Sequence, residues 1–370
     1  MEKDNQLKLP IYARASIFLI GAFVLIWILY IARSILEPLV FATIIAVLLH
    51  PVVNFLVRKK INRVIAIVIA LTLTIIVITA FCILLFSQMS RFTESWPLLV
   101  DRFTETLNQA TSWFSGYFEI RPRKVHAWIL ETKGEIINTS TAAIGKTLLS
   151  VGGVLVVLLL VPVYVFMILF YQPLLMDFVH KLFSSSNQSQ VAEVISQIKT
   201  VIQRYLVGLI IEATMIAILN ISALLIIGIE YAVLLGIIGA LVNLIPYIGG
   251  LVGVALPMMV ALATKSSAWY AIYVMLAYYF IQLVDNNYIV PKIVSSKVKI
   301  NALFSIIVVI VGNAIWGIPG MFLSIPILAI VKLIFDHIEG LKPWGFLLGD
   351  TMPPLIALKP ILKKLKIKSS

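Results

Sequence analysis

The sequence predicts an all-α integral membrane protein with six to eight transmembrane helices, two of whose C-terminal segments are broken near their middles. Three observations carry this prediction. Of 370 residues, 61% are apolar and only 12% are charged, with a mean hydropathy of +1.04; soluble domains run to about a quarter charged. Uninterrupted apolar runs near the length of about 20 residues that a helix needs to cross a bilayer recur along the chain. The Lys and Arg residues behind the net charge of +12 gather in short clusters between those runs, which marks membrane topology rather than nucleic-acid binding.

The composition also excludes classes of chemistry. A single cysteine, Cys82, rules out a disulfide framework and a thiolate metal site. The four histidines, His50, His126, His180 and His337, lack ligand spacing, so neither a metal nor a cofactor is expected. The first apolar run is long and has no small-residue cleavage site, so it reads as a span and not as a cleaved signal. Gly145-Lys146-Thr147 matches only the end of a phosphate-binding loop: Ser140 stands in place of the first glycine, and no strand is expected before it. Without a nucleotide site or a nucleophile–base pair, the chain does not read as an enzyme or as an ATP-driven pump.

Taken in order, charge-free apolar stretches cover residues 15–32, 38–57, 64–90, 147–176 and 266–284, and residues 205–229 qualify apart from one acid, Glu212. The domain organisation that follows is a tail and three spans over 1–90, then an external segment over 91–146. A C-terminal transport region covers 147–341, and a basic tail covers 342–370. In the external segment Leu99, Phe103, Leu107, Ala110, Phe114 and Tyr117 recur at helical spacing, predicting a small amphipathic-helix domain. An apolar stripe from Val191 through Ile195, Ile198 and Ile202 to Tyr205 predicts a second amphipathic helix near 187–205, lying on the membrane or on the bundle. His50-Pro51 reads as a helix stop, and Lys332 and Asp336 as an i,i+4 helix pair.

Orientation follows the basic clusters. Lys3, Lys8 and Arg14 before the first span, and Arg58, Lys59, Lys60 and Arg63 after the second, place the N-terminus in the cytoplasm. Two long apolar stretches decide the count. Residues 231–264 are broken at Pro246-Tyr247-Ile248-Gly249-Gly250, and residues 300–331 at Gly317-Ile318-Pro319-Gly320. If each crosses once there are eight spans, and the loop carrying Lys292, Lys297 and Lys299 is outside. If each is a re-entrant hairpin there are six spans and that loop is inside; the C-terminal tail, with its five lysines from Lys359 to Lys368, is inside in either case. The positive-inside rule favours the hairpins.

Backbone freed by Pro and Gly inside a membrane survives only where protein or water covers it, and paired broken segments point to a transporter's binding site. Asn243 precedes Pro246, and Asn313 precedes Gly317 and Pro319. The candidate substrate or ion pathway therefore contains Asn243, Pro246, Gly249, Gly250, Asn313, Gly317, Pro319 and Gly320. The competing reading makes both breaks packing kinks, with Gly249 and Gly253 forming a small-residue contact. Glu212 lies about two turns into its span, where a carboxylate costs a few kcal/mol to insert and should face a cavity or a partner. It reads as a proton carrier, or as an interfacial partner of Arg204 or a lysine. Asp285, Asn286 and Asn287 end the 266–284 span and read as a cation or proton site, or as the cap that organises the lysine loop.

The order and spacing of several C-terminal motifs carry a resemblance. They are Asn243-Leu-Ile-Pro-Tyr-Ile-Gly-Gly250 with Pro257, Gln282-Leu-Val-Asp-Asn-Asn-Tyr-Ile-Val-Pro-Lys-Ile-Val294, Lys297-Val-Lys-Ile-Asn301, and Ala314-Ile-Trp-Gly-Ile-Pro-Gly-Met321 with Ile325-Pro326. This half resembles the autoinducer-2 exporter, or PerM-like, family of bacterial membrane proteins; the N-terminal half matches mainly as hydropathy. Where the family often ends the lysine loop in His or Asn followed by Pro, this chain has Asn301-Ala302. The resemblance implies a multi-pass inner-membrane transporter that assembles as a homo-oligomer. In that family some members are connected with export of the autoinducer-2 signal, and others resemble sodium or lithium/proton antiporters.

The sequence is therefore read as a secondary transporter that exports a small polar solute or signalling molecule, with the lipid bilayer and a small-molecule or ion substrate as its partners. A cation/proton antiporter is the transport alternative. A non-transporting membrane scaffold docking through residues 92–133 is the alternative of another class.

Overall fold

The computed structural model describes residues 10–118, 151–182, 188–245, 249–294 and 300–350. These are helical almost throughout, in the order α1 (Ile11–Ile31), α2 (Arg33–Arg58), α3 (Arg63–Phe118), α4 (Val151–Leu182), α5 (Gln188–Ile227), α6 (Ala232–Asn243), α7 (Gly249–Thr264), α8 (Trp269–Val284), a π-helix over Asp285–Val294, α9 (Ala302–His337) and α10 (Lys342–Leu348). Among the described residues the sole β pairing is an isolated bridge between Ile300 and Gly349. By length and composition Arg33–Arg58, Arg63–Thr106, Leu159–Val179, Val191–Ile227 and Ala302–His337 are apolar enough to cross a bilayer. Large apolar side chains stand outward along them, such as Phe86 at 71% exposed and Ile226 at 86%. Water would not tolerate so much apolar surface on a monomer. The chain is an all-α integral membrane protein.

Both broken stretches fold back on themselves. In α9, Gly317 adopts φ 64 and ψ −141, a conformation open to glycine alone, and a Cβ there would meet nothing, so the requirement is conformational rather than spatial. The arms on either side close on each other. The Ser324 hydroxyl donates to the Val308 carbonyl at 2.8 Å across the hairpin and to Gly320 O at 2.6 Å within its own arm. A Cβ on Gly312 or Gly320 would run into the other's carbonyl, so the absent side chains are what let the two backbones touch. The first hairpin pairs α6 with α7. Its tip lies at residues 246–248, outside the described residues, and the backbones of Gly239 and Gly253 face each other across it. At 12 and 16 residues its arms are roughly 18 and 24 Å long.

Two sequence expectations are merged by the structure. The part of residues 91–146 that is described, through Phe118, continues α3 without a break; the rest lies outside the described residues. The amphipathic stretch near 187–205 is likewise the first half of α5 rather than a separate helix. One expectation fails: α2 passes through Pro51 and ends at Arg58, because a proline deletes one hydrogen bond and kinks a helix without ending it when packing holds both halves.

Three packing regions position the site. The alanines Ala42, Ala46, Ala66 and Ala70 let α2, α3 and α4 approach closely. The second half of α3 grips the base of the first hairpin: Phe92 sits edge-on to Tyr231 with ring centres 5.3 Å apart, and Tyr231 donates its hydroxyl proton to Ser95 Oγ at 2.7 Å. Helices α5, α6, α7 and α8 pack around Leu224, Leu234, Leu235, Val260 and Val274.

Candidate functional site

Helix α5 keeps one face inward with the periodicity of an amphipathic helix: Tyr205, Leu209, Glu212, Ile216 and Asn220 are all buried. The face is apolar except where it carries Glu212 and Asn220. Opposite it, α8 presents Tyr278 and Gln282 one turn apart and then passes into the π-helix at Asp285. Segments of π-helix are rare and recur at functional sites, because the wider turn re-aims side chains. The first hairpin closes the third side with Asn243, at the end of α6, and Gly250, at the start of α7.

These elements enclose a cavity of about 770 Å³, lined among others by Tyr205, Glu212, Asn243, Gly250, Gln282 and Asp285. Asp285 is 1% exposed and Glu212 5%, and the two carboxylates lie close enough to interact electrostatically. Asn243 Nδ2 donates to Asp285 Oδ2 at 2.8 Å, and Gln282 Nε2 donates to the same oxygen at 3.3 Å and to Asn286 Oδ1 at 3.2 Å. Asp285 Oδ1 is shielded from solvent and has no partner among the described residues. Glu212 has no hydrogen bond among them either, and Arg204 is exposed rather than paired with it. A buried carboxylate without donors costs several kcal/mol, so this pair is built to receive something: protons, a cation, or the donors of a polar solute. Gly250 makes the arrangement possible, since a Cβ there would lie 2.5 Å from Gln282 Oε1.

The remaining sequence candidates fall in different places. Asn286 lines the cavity, whereas Asn287 is exposed and donates to the Leu283 carbonyl at 2.8 Å, completing its own helix. Gly249 packs against the backbone of Asn243, where a Cβ would not fit. Pro246 lies outside the described residues. Asn313, Gly317, Pro319 and Gly320 belong to the second hairpin and line no part of the cavity; Asn313 is exposed, and the neighbouring Trp316 donates to the Leu29 carbonyl of α1 at 3.0 Å. Gln282, Tyr278 and Tyr205 were missed. The three-residue spacing from Gln282 to Asp285 places both on one helical face and was the available signal for the first.

A family model described as AI-2E family transporter matches residues 17–340. The chain belongs to the AI-2E transporter family. Relatives resemble it over most of their length. YueF of Bacillus subtilis (strain 168), provisionally named a transport protein, is 26% identical over 322 residues, covering 82% of this chain and 84% of its own. The AI-2 transport protein TqsA of Escherichia coli (strain K12) is 22% identical over 324 residues, covering 86% and 90%. YhhT of the same strain, also provisionally named for transport, is 22% identical over 326 residues, covering 88% and 91%. This AI-2E family member is thus a multi-pass membrane transporter, and every motif of the cavity falls within the matched range.

Proposed function

We propose that this AI-2E family transporter is a secondary transporter of a bacterial inner membrane, with both termini cytoplasmic, that exports a small polar organic solute. Glu212 and Asp285 carry the proton or cation exchanged for it. The observation that supports this reading is the pair of buried carboxylates in one cavity, with Asp285 Oδ1 and the Glu212 carboxylate lacking donors among the described residues. The volume falls within the range of about 300–1,000 Å³ typical of small-molecule sites. The cytoplasmic placement of the termini rests on the basic clusters of the sequence.

Cation/proton antiport is the second reading. It is favoured by the same orphan oxygen of Asp285, because an unscreened carboxylate oxygen in a cavity shared with a second carboxylate suits a small cation better than a bulky solute.

The test uses full-length protein in liposomes enclosing a pH dye, with an imposed proton gradient and sodium, lithium or potassium added outside. Cation-dependent collapse of the gradient, abolished by Glu212→Gln or Asp285→Asn, selects antiport. No cation response, together with loss of export of a small polar metabolite from cells carrying either variant, selects solute efflux. Full activity of both variants in both assays removes the two carboxylates from the mechanism.

A further inference from the structure

A second polar cluster lies away from the cavity, at the end of the bundle that bears the Arg58-Lys59-Lys60 turn. His50 of α2, Arg63 of α3, Gln172 of α4 and Lys199 of α5 meet there, each half-buried. Lys199 Nζ lies 3.1 Å from His50 Nε2, so the ammonium donates to a neutral imidazole. Arg63 Nη2 donates to Gln172 Oε1 at 3.0 Å and to the Leu169 carbonyl at 2.6 Å. That carbonyl is the one orphaned by Pro173, four residues on, which has no N–H to offer it. Gln172 also reaches His50, and the charges of Lys199 and Arg63 both act on that ring.

One feature of Arg63 is thereby explained, and the rest of the cluster is not. The Arg63 Nε is shielded from solvent and has no acceptor among the described residues. None of the described carboxylates pairs with Arg63 or Lys199; the Lys332–Asp336 ion pair lies elsewhere in the chain. Two cations and a titratable ring held together with an unused N–H and no counter-charge among the described residues repel one another and carry a desolvation cost. An anion offering several acceptor oxygens relieves both at once, and a phosphate matches the guanidinium in geometry as well as charge.

We infer that His50, Arg63 and Lys199 form a binding site for a phosphate group carrying net negative charge. It is distinct from the carboxylate cavity and does not rest on the transport reading above. An anionic lipid headgroup and a free phosphate-bearing solute share this chemistry. Basic pockets between transmembrane helices on the cytoplasmic side suit the former.

Native mass spectrometry on the full-length protein separates the sources, with phosphatidylglycerol, phosphatidylcholine and inorganic phosphate as probes. The expected result is retention of phosphatidylglycerol about tenfold over phosphatidylcholine, the effect of one charge-assisted contact. Lys199→Gln loses this preference and the charge-retaining Lys199→Arg keeps it. Displacement by inorganic phosphate, with a rise in thermal midpoint on adding phosphate alone, assigns the site to a soluble anion. Equal retention of the two lipids by the wild type with no phosphate effect overturns the inference whether or not the variants fold, as does an unchanged preference in a folded Lys199→Gln.

Discussion

Asn243 and Asp285 are joined by a 2.8 Å hydrogen bond across 42 residues of sequence, and this bond ties the end of the first hairpin's leading arm to the start of the π-helix. It is one of two donors to an oxygen of a carboxylate that is 1% exposed. Movement of the hairpin away from α8 therefore strips Asp285 of its best partner. In the proposed mechanism a bound proton, cation or solute donor would compensate for that loss and so link occupancy of the site to hairpin position.

Asn243→Ala leaves Asp285 with Gln282 as its remaining donor. Removing one partner of a buried charged group costs about 1–3 kcal/mol, or a few degrees of thermal midpoint for a domain of this size. Differential scanning fluorimetry in detergent checks this; a midpoint unchanged within one degree means the bond does not hold the hairpin. Transport in liposomes should fall in parallel.

Gly250→Ala tests the positioning of Gln282. The added methyl would sit 2.5 Å from Gln282 Oε1, so the side chain must turn aside and give up its donation to Asp285 and Asn286. The expected outcome is a transport rate lower by about tenfold, equivalent to one charge-assisted hydrogen bond. Gly253→Ala is the control, since its Cβ would meet the Gly239 backbone at 3.4 Å and beyond, an ordinary contact. Equal activity of the two variants would show that Gln282 is not held in place by this glycine.

Tyr278→Phe should leave the fold intact. The Tyr278 hydroxyl is buried without a partner among the described residues, as is Asn220 Oδ1, and the two side chains converge on Gly239. Deleting an orphan polar atom refunds its desolvation cost and forfeits no bond, so the thermal midpoint stays level or rises by a few degrees. A fall of several degrees would reveal a partner for the hydroxyl. Reduced transport at unchanged stability would instead place that hydroxyl on the solute or water path.

The parts of this architecture that the sequence made legible are those where membrane physics leaves few choices. Two Gly-Pro breaks in overlong apolar runs marked where the chain could fold back, and the basic clusters favoured hairpins over single crossings. Glu212 stood out because a carboxylate inside an apolar span needs a reason, and Asp285 because it ends a span beside two asparagines. What stayed hidden was set by tertiary contact. Nothing local tells Asn243, facing Asp285, from Asn313, which is exposed on the second hairpin; both precede a break. Tyr278 and Tyr205 read as ordinary apolar-span aromatics until α5 and α8 are brought together. The continuity of α3 and α5 was equally invisible, since a drop in hydropathy marks where lipid ends and not where a helix ends.

The second hairpin offers the most direct test of the fold itself. Val308 and Ser324 lie 16 residues apart. In one straight helix that separation is roughly 24 Å, far beyond the reach of a disulfide, which needs Cα atoms within about 7 Å. Here the Ser324 hydroxyl donates to the Val308 carbonyl at 2.8 Å, so the two backbones lie side by side. The double variant Val308→Cys with Ser324→Cys, made together with Cys82→Ser to remove the native thiol, should cross-link within the monomer when membranes are treated with a mild oxidant. Protease cleavage between the two positions followed by electrophoresis under non-reducing conditions reads the link directly. Fragments that separate without reductant would mean that residues 302–337 cross the bilayer as a single helix, and the tri-lysine loop around Lys297 would then lie outside the cell.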